Sequence, residues 1–375
     1  MRILYICLSP TFGMHQYTAD LANRTSSYGH EVHVLTTANL PRDRYAPSLT
    51  LHTPIANQTT GFSREGIEKR DYRAVLNAIL KIEPDVVHFT APHLWNPLLI
   101  RALKGTDTPI IHTLHDLDPH KGSKFGMFIR IWNQLILDNA HHIVVHGQTY
   151  QQRLVRTGFP PEKLTYIPLL HLFLGSVRLS TTHDLATDVQ YEPWALFFGR
   201  IERYKGLEHL LAAGAMLAYN KSQAPHIIIA GKGNMGRLWP GVLPEHIELR
   251  NRIIEDEEAL DLFRRCGCLV LPYVDATQSA LIAAAYYFRK PVIVTRSGAL
   301  PEYVQNGVTG FVVEPEHPAS LARKLERLLA QPALQQRLGE AGRAWYEYQR
   351  LEEEKTLLQM YQHMLGGSHD ATSCQ

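Results

Sequence analysis

WALFFGRIERYKGLEHLL, residues 194–211, is the stretch whose reading decides the architecture. Five apolar or aromatic residues run into Gly199, a charged turn follows, and Gly206 precedes a run with helical spacing. Strand, glycine turn and helix make one β-α unit. Immediately before it, GSVRLSTTHDLATDVQYEP (175–193) is polar and has no clear period. The stretch therefore restarts an α/β rhythm after a linker or long loop. A chain of 375 residues exceeds the size at which one core keeps growing, so two domains are expected.

The rhythm on either side supports that reading. Strand-like runs precede the break at RILYICL (2–8), EVHVLT (31–36), DVVHFT (85–90), PIIHTLH (109–115), HIVVHG (142–147) and LTYIP (164–168), with helix-like stretches at 16–28, 66–82 and 122–140. After it come HIIIAG (226–231), HIELRNRII (246–254), GCLVLPY (267–273), PVIVT (291–295) and GFVVEP (310–315). Strands apolar on both faces belong to parallel sheets covered by helices on both sides. The fold class is thus α/β, with two doubly wound, Rossmann-like domains. The expected bounds are 1–172, a linker over 173–193, 194–345, a helix over 346–366 and a disordered tail over 367–375.

Composition excludes several classes. Thirty-eight Lys+Arg against 36 Asp+Glu give +2, which argues against a nucleic-acid partner. No apolar run approaches the ~20 residues of a membrane span, and the N-terminus reads as a strand, not a signal peptide. Cys7, Cys266, Cys268 and Cys374 do not have zinc-site spacing and read as reduced thiols in a cytoplasmic protein.

In doubly wound sheets ligands sit beyond the carboxyl ends of the strands, so the residues there carry the chemistry. SPTFGMHQYTADL (9–21) offers Gly13 in a loop-to-helix start that suits an anion. Thr113, His115 and Asp116 leave one strand together, and histidine has the range for acid–base work or for hydrogen bonding a hydroxyl. Arg200 and Lys205 make a compact cationic pair for phosphate oxygens. GKGNMG (231–236) matches G-x-G-x-x-G, but Pro240 and Pro244 preclude the long helix of a dinucleotide site, so it reads as a turn. In DATQSALIAAAYYFRKPVIVT (275–295) Thr277 reads as an N-cap, which would leave the backbone amides of Gln278, Ser279 and Ala280 open to a phosphate. RSGALPEYVQNGVTGFVVEP (296–315) makes another loop-to-helix start at Ser297 to Glu302. In HKGSKFGMFIRIWNQLILDNAHH (120–142), Lys121, Lys124 and Arg130 alternate with Phe125, Phe128, Ile131 and Trp132. That reads first as a core helix with a basic start, and second as a peripheral membrane contact through 120–136.

These pieces, in this order, resemble the retaining GT-B glycosyltransferases of the family 4 type (glycosyl transferases group 1). The matching residues are YGHEVHVLT (28–36) with the early glycine loop, TLHD (113–116), GRIERYKG (199–206) and KPVIVTRSGALPEYVQNGVTGFVVEP (290–315). The resemblance implies transfer of a sugar from a UDP- or GDP-linked donor, with retention, in an interdomain cleft. It implies a carbohydrate or lipid-linked acceptor, polysaccharide or glycolipid assembly, and no metal or cofactor besides the donor substrate. The first domain would be the acceptor side and the second the nucleotide-sugar side. The last helix would cross back to the first. His115, Asp116, Arg200 and Lys205 would be catalytic. Gly13, Asp275, Thr277, Gln278, Ser279, Ala280, Glu302 and Ile254, in the loop near the base, would bind the donor. One departure stands out: alignment on Lys290-Pro291-Val292 puts Ala276 and Ala284 where the family carries two glutamates, with Asp275 one residue from the first. A non-catalytic homologue that binds nucleotide-sugar or a partner transferase is the alternative, and a 2-epimerase of the same architecture a third.

Overall fold

A computed structural model describes residues 1–56, 69–118, 126–174, 185–220 and 225–366. The chain divides into two compact units, Met1–Arg178 with Glu352–Gln375, and Leu179–Leu351.

In the first unit the strands are β1 (Arg2–Cys7), β2 (Glu31–Thr37), β3 (Thr50–Ile55), β4 (Val86–Phe89), β5 (Ile110–Leu114), β6 (His142–Val145) and β7 (Leu164–Tyr166). They form one parallel sheet in the order β3-β2-β1-β4-β5-β6-β7. Helices α1 (Phe12–Ser27), α2 (Lys69–Ile82), α3 (Asn96–Leu103), α4 (Gly126–Asn139) and α5 (Gln148–Arg156) connect them. β1, β4, β5 and β6 are buried along nearly their whole length, as a sheet covered on both faces demands. β3 is an additional strand that hydrophobic runs do not reveal. It lies at the sheet edge, carries Pro54 and is mostly half-exposed, the position where a strand tolerates proline.

The second unit repeats the plan with β8 (Trp194–Phe198), β9 (His226–Ala230), β10 (Ile247–Arg250), β11 (Cys268–Leu271), β12 (Val292–Thr295) and β13 (Gly310–Val313). The order is β10-β9-β8-β11-β12-β13, all parallel. Its helices are α6 (Leu207–Asn220), α7 (Asp256–Arg265), α8 (Ala280–Tyr287), α9 (Pro318–Leu329) and the start of the long α10 (Pro332–Gly366). Each sheet is doubly wound: the chain reverses direction of growth between β1 and β4, and between β8 and β11. The expected fold class holds for both halves. Leu185–Pro193, which composition alone makes part of a linker, is fastened to this second unit. The Leu185 amide donates to the Tyr287 hydroxyl at 3.0 Å, and Arg264 Nε and Arg289 Nη1 donate to the carbonyls of Leu185 and Ala186. Lys290 Nζ donates to the Gln190 carbonyl. Residues 175–184 and the tail 367–375 lie outside the described residues, as do Lys121, Lys124 and Phe125.

The end of α10 belongs to the first unit. Glu353, 2% exposed, accepts from Arg24 Nη2 of α1 at 2.9 Å, and Arg24 also meets Asp20 at 3.2 Å. Removing one member of a buried ion pair typically costs about 3–5 kcal/mol. Arg24 is 18% exposed, so solvent screens part of this. Arg24→Met is expected to lower the unfolding free energy of the first unit by about 2 kcal/mol, read from urea titration. A change below about 0.5 kcal/mol would mean that α10 is held by its apolar contacts alone.

Candidate active site

In the second unit the turn after β8 is set by backbone geometry. Gly199 has φ +107 and donates its amide to the Ala230 carbonyl. Gly231, φ +147, lies so close that a Cβ there would overlap the Gly199 carbonyl. Glycine at 231 and 233 thus lets two strand exits touch, and the chain continues into a short 3₁₀ turn over Met235–Arg237. That physical role explains GKGNMG without a dinucleotide.

Beyond Gly199 the chain makes a 3₁₀ turn, Arg203–Lys205, and Gly206 (φ +61) redirects it into α6. A Cβ on Gly206 would strike the Pro272 carbonyl. The Tyr204 carbonyl accepts from the amides of Val274 and Asp275 at 2.8 and 3.2 Å. These contacts pin the β8 exit to the β11 exit, on either side of the reversal point.

Lys205 is 9% exposed. Its Nζ lies 5.2 Å from the Tyr273 ring centre and beside Gly199, where a Cβ would come within 2.8 Å of it. Burial pulls its pKa below the usual lysine value. Among the described residues no carboxylate pairs with this ammonium. Arg200 is 72% exposed and only 4.0 Å from Glu202, so its guanidinium reaches into solvent. Its charge is close enough to act on both Lys205 and Tyr273.

The helix after β11 starts later than its sequence suggests. Ser279, not Thr277, is the N-cap of α8; its backbone is extended and its hydroxyl accepts from the Leu281 amide at 3.4 Å. Thr277 is buried and its carbonyl accepts from the Ala299 amide at 3.0 Å, which ties the β11 exit to the β12 exit. Proline-free Asp-Ala-Thr-Gln-Ser has three residues able to cap, and the tertiary bond to Ala299 selects the last. The amides of Gln278, Ser279 and Ala280 have no acceptor among the described residues, nor does Gln278 Oε1 have a donor there. Ala276 and Ala284 are buried at 5% and 0% exposure. Glu302 is half-buried in the four-residue 3₁₀ turn Leu300–Tyr303, so no long helix begins there. Ile254 is half-buried between β10 and α7, next to Arg252, which grips Glu258 at 2.6 and 2.8 Å.

In the first unit Gly13 is inside the first turn of α1, without positive φ, and open space surrounds it. His115 follows β5 and is 6% exposed. Its Nε2 lies 2.9 Å from the Thr90 carbonyl. A carbonyl only accepts, so Nε2 carries the hydrogen and Nδ1 presents a lone pair; Nδ1 has no partner among the described residues. Burial lowers the pKa, keeping the ring neutral at physiological pH. Asp116 is exposed, and its carbonyl accepts from Asn133 Nδ2 at 2.9 Å.

Three residues around His115 were not singled out by sequence. Tyr17 of α1 meets the rings of His115, His146 and His171 edge-on at 5.0, 5.2 and 5.7 Å. A signal existed for His146. In HIVVHG a histidine directly follows the apolar run, as one does in PIIHTLH, and Leu114 pairs with Val145 across the sheet, so both histidines leave adjacent strands at the same level. Tyr17 and His171 carry no such signal. Among the described residues no group of three or more His, Cys, Asp or Glu is placed to hold a metal.

Residues 13–169 match the family described as Glycosyltransferase Family 4, and residues 189–345 match Glycosyl transferases group 1. Both halves of the chain belong to glycosyltransferase families. This glycosyltransferase-family chain is similar to the D-inositol 3-phosphate glycosyltransferase of Streptomyces bingchenggensis (strain BCW-1). They share 25% identity over 366 residues, covering 87% of this chain and 79% of that one. The protein of the same description from Corynebacterium diphtheriae is 25% identical over 370 residues, covering 88% and 84%. The fold is shared with sucrose-phosphate synthase from Thermosynechococcus elongatus, with TM-score 0.74, 19% identity and coverage of 98% and 100%. It is also shared with Anabaena Alr3699/HepE, solved in complex with UDP-glucose, with TM-score 0.70, 16% identity and coverage of 97% and 99%. These solved neighbours are GT-B glycosyltransferases, and the two doubly wound halves conform to that class.

A depressed lysine pKa means that the unfolded state binds more protons between the folded and unfolded values, so stability rises with pH there. Lys205→Met is therefore expected to raise the calorimetric melting temperature of the second unit by roughly 2–4 °C, with the gain shrinking as pH approaches 10. A gain independent of pH would remove burial of the charge as its cause.

Proposed function

We propose that this chain is a retaining, metal-independent glycosyltransferase that moves a sugar from a UDP- or GDP-linked donor to a carbohydrate or lipid-linked acceptor in polysaccharide or glycolipid assembly. One observation carries the reading: a nine-tenths-buried ammonium at Lys205 faces an aromatic ring and lacks a carboxylate partner among the described residues. Burying a charge without its counter-ion is costly, and a diphosphate supplies the counter-ion. The complex of HepE with UDP-glucose supports the donor class.

The chemistry is dictated by where charge develops. As the bond between the anomeric carbon and the diphosphate breaks, negative charge grows on the leaving oxygen. Lys205 stabilises it as a fixed point charge, and Arg200 closes on the phosphate oxygens with its planar fork. The amides of Gln278, Ser279 and Ala280 add donors at the start of α8. Prepositioned cations of this kind take the role that a divalent ion plays elsewhere. In this reading Ile254 and its loop serve the base, and Gly13, Asp275 and Glu302 bind the donor. His115 acts at the reacting face of the sugar, where its Nδ1 lone pair accepts a hydrogen bond from a hydroxyl; Asp116 is the adjoining carboxylate. Ala276 and Ala284 bring no carboxylate, so hydroxyl recognition falls on Asp275 and on backbone groups. Those two alanines are also what favours the alternative of a non-catalytic nucleotide-sugar binder.

UDP or GDP at a hundredfold excess over Kd should stabilise the protein by about 2.7 kcal/mol, measured as a thermal shift. Arg200→Ala should lower kcat roughly 10²-fold across a panel of nucleotide-sugars; turnover equal to wild type would remove the role given to Arg200. Absence of both transfer and donor hydrolysis in a protein that still shows the thermal shift selects the non-catalytic alternative.

The lipid-linked acceptor is supported by α4. Met127, Ile131 and Leu135, spaced by four, are 80%, 56% and 45% exposed, and Phe128 beside them is 42% exposed. Arg130 is exposed on the same helix, whereas Trp132 is core and donates to the His93 carbonyl at 3.1 Å. No helix among the described residues is long and apolar enough to cross a membrane, so contact would be at the interface. Ile131→Asp with Leu135→Asp should abolish co-flotation with anionic vesicles. Co-flotation equal to wild type would eliminate this face as the contact.

A further inference from the structure

A buried hydrogen-bond chain crosses the first unit from α10 to the Tyr17 ring. Thr25 Oγ1 donates to the Leu21 carbonyl at 2.7 Å. Having one hydrogen, it must accept from the Tyr5 hydroxyl, 2.8 Å away. Tyr5 in turn accepts from the Tyr361 hydroxyl at 3.0 Å. The Tyr361 hydrogen is then committed, so His88 Nδ1, 2.7 Å from the Tyr361 oxygen, is the donor in that link. Burial drives the His88 pKa down to about 3, so the ring is neutral and its Nε2 is an acceptor. Nε2 lies 2.8 Å from Thr113 Oγ1, which therefore donates. Thr113 accepts in turn from the Tyr17 hydroxyl at 3.2 Å. Each group donates once and the chain has a single direction, from Tyr17 to the Leu21 carbonyl. The reverse direction would leave the Tyr17 hydrogen buried with no acceptor among the described residues, a cost that buried networks avoid.

We propose that Tyr361, in the last helix, is a positioning residue for the reacting face. By accepting from His88 it fixes the tautomer of His88, the orientation of the Tyr17 hydroxyl and the plane of the Tyr17 ring, against which His115 is set. The role assigned to His115 rests on the glycosyltransferase reading; the ordering of the chain does not. Tyr361 is fully buried, as is His88, so neither touches a soluble ligand directly. The Tyr17 ring stands edge-on, at 85°, to the His115 ring, and a shift in its plane moves that ring. The segment that contributes Tyr361 is 273 positions from His88 in sequence, so proper folding of the last helix becomes a condition for the orientation of His115.

The direction of the chain makes two similar substitutions behave differently. Tyr17→Phe removes only the first donor and leaves every later link satisfied. Tyr361→Phe removes the acceptor of His88 and the donor to Tyr5. The Nδ1–H of His88 is then left without an acceptor, and the Nε2–H tautomer gives no relief, because donation to Thr113 would leave the Thr113 or the Tyr17 hydrogen unpaired instead. Long-range proton–nitrogen spectra of the histidine side chains distinguish a protonated ring nitrogen from a bare one. The expected result is His88 as Nδ1–H in wild type and in Tyr17→Phe, and displaced His88 and His115 signals in Tyr361→Phe. His88 as Nε2–H in the wild-type protein overturns the ordering, and this measurement stands even if Tyr361→Phe does not fold. A His115 signal unchanged in folded Tyr361→Phe overturns the positioning role. In turnover assays Tyr361→Phe should lower kcat roughly tenfold with donor Kd within about twofold of wild type. Wild-type protein with the expected tautomers but no turnover would count against the glycosyltransferase reading alone.

Discussion

A parallel strand covered by helices on both faces leaves room for polar side chains only where it ends. In this protein β4, β5, β6, β8, β11 and β12 are buried throughout, so chemistry is confined to the carboxyl edge of each sheet. Three histidines inside the strands are held by partners. His88 sits in the ordered chain, His112 Nε2 meets Asn96 at 3.1 Å, and His142 Nε2 meets Thr165 at 2.7 Å. Burial lowers the pKa of all three. An uncharged imidazole is the form that such a site can hold.

The two halves use their edges differently. In the second unit the groups are cationic or backbone donors: Lys205, Arg200 and the amides at the start of α8. They suit an anion. In the first unit the groups around Tyr17 are imidazoles, and burial lowers the pKa of His115 and His146. A tautomer fixed by a carbonyl, as at His115 with Thr90 or His146 with Ile167, leaves the other nitrogen as an acceptor. Such groups suit hydroxyls.

Glycine gives the second unit its precision. Gly206, Gly231 and Gly233 let neighbouring strand exits approach to backbone contact, and Gly199 leaves room for the Lys205 ammonium beside it. Lys205 is buried there, 9% exposed.

The sequence by itself determined the alternation of strand and helix, the doubly wound class and the edges where polar residues gather, because these follow from periodicity along the chain. It marked Arg200, Lys205, His115 and the Gln278–Ala280 amides, since each sits beside a strand exit in the same local segment. It did not show that Ser279 rather than Thr277 caps α8, because the choice depends on a bond between the Thr277 carbonyl and the Ala299 amide. Nor did it show edge strand β3, half-exposed and carrying a proline, or the grouping of Tyr17 with His115, His146 and His171. Only the tertiary structure decided that Tyr361 completes the chain through His88. A hydrogen bond between residues 273 positions apart has no period and no motif; it exists only where the folded backbone brings the two together.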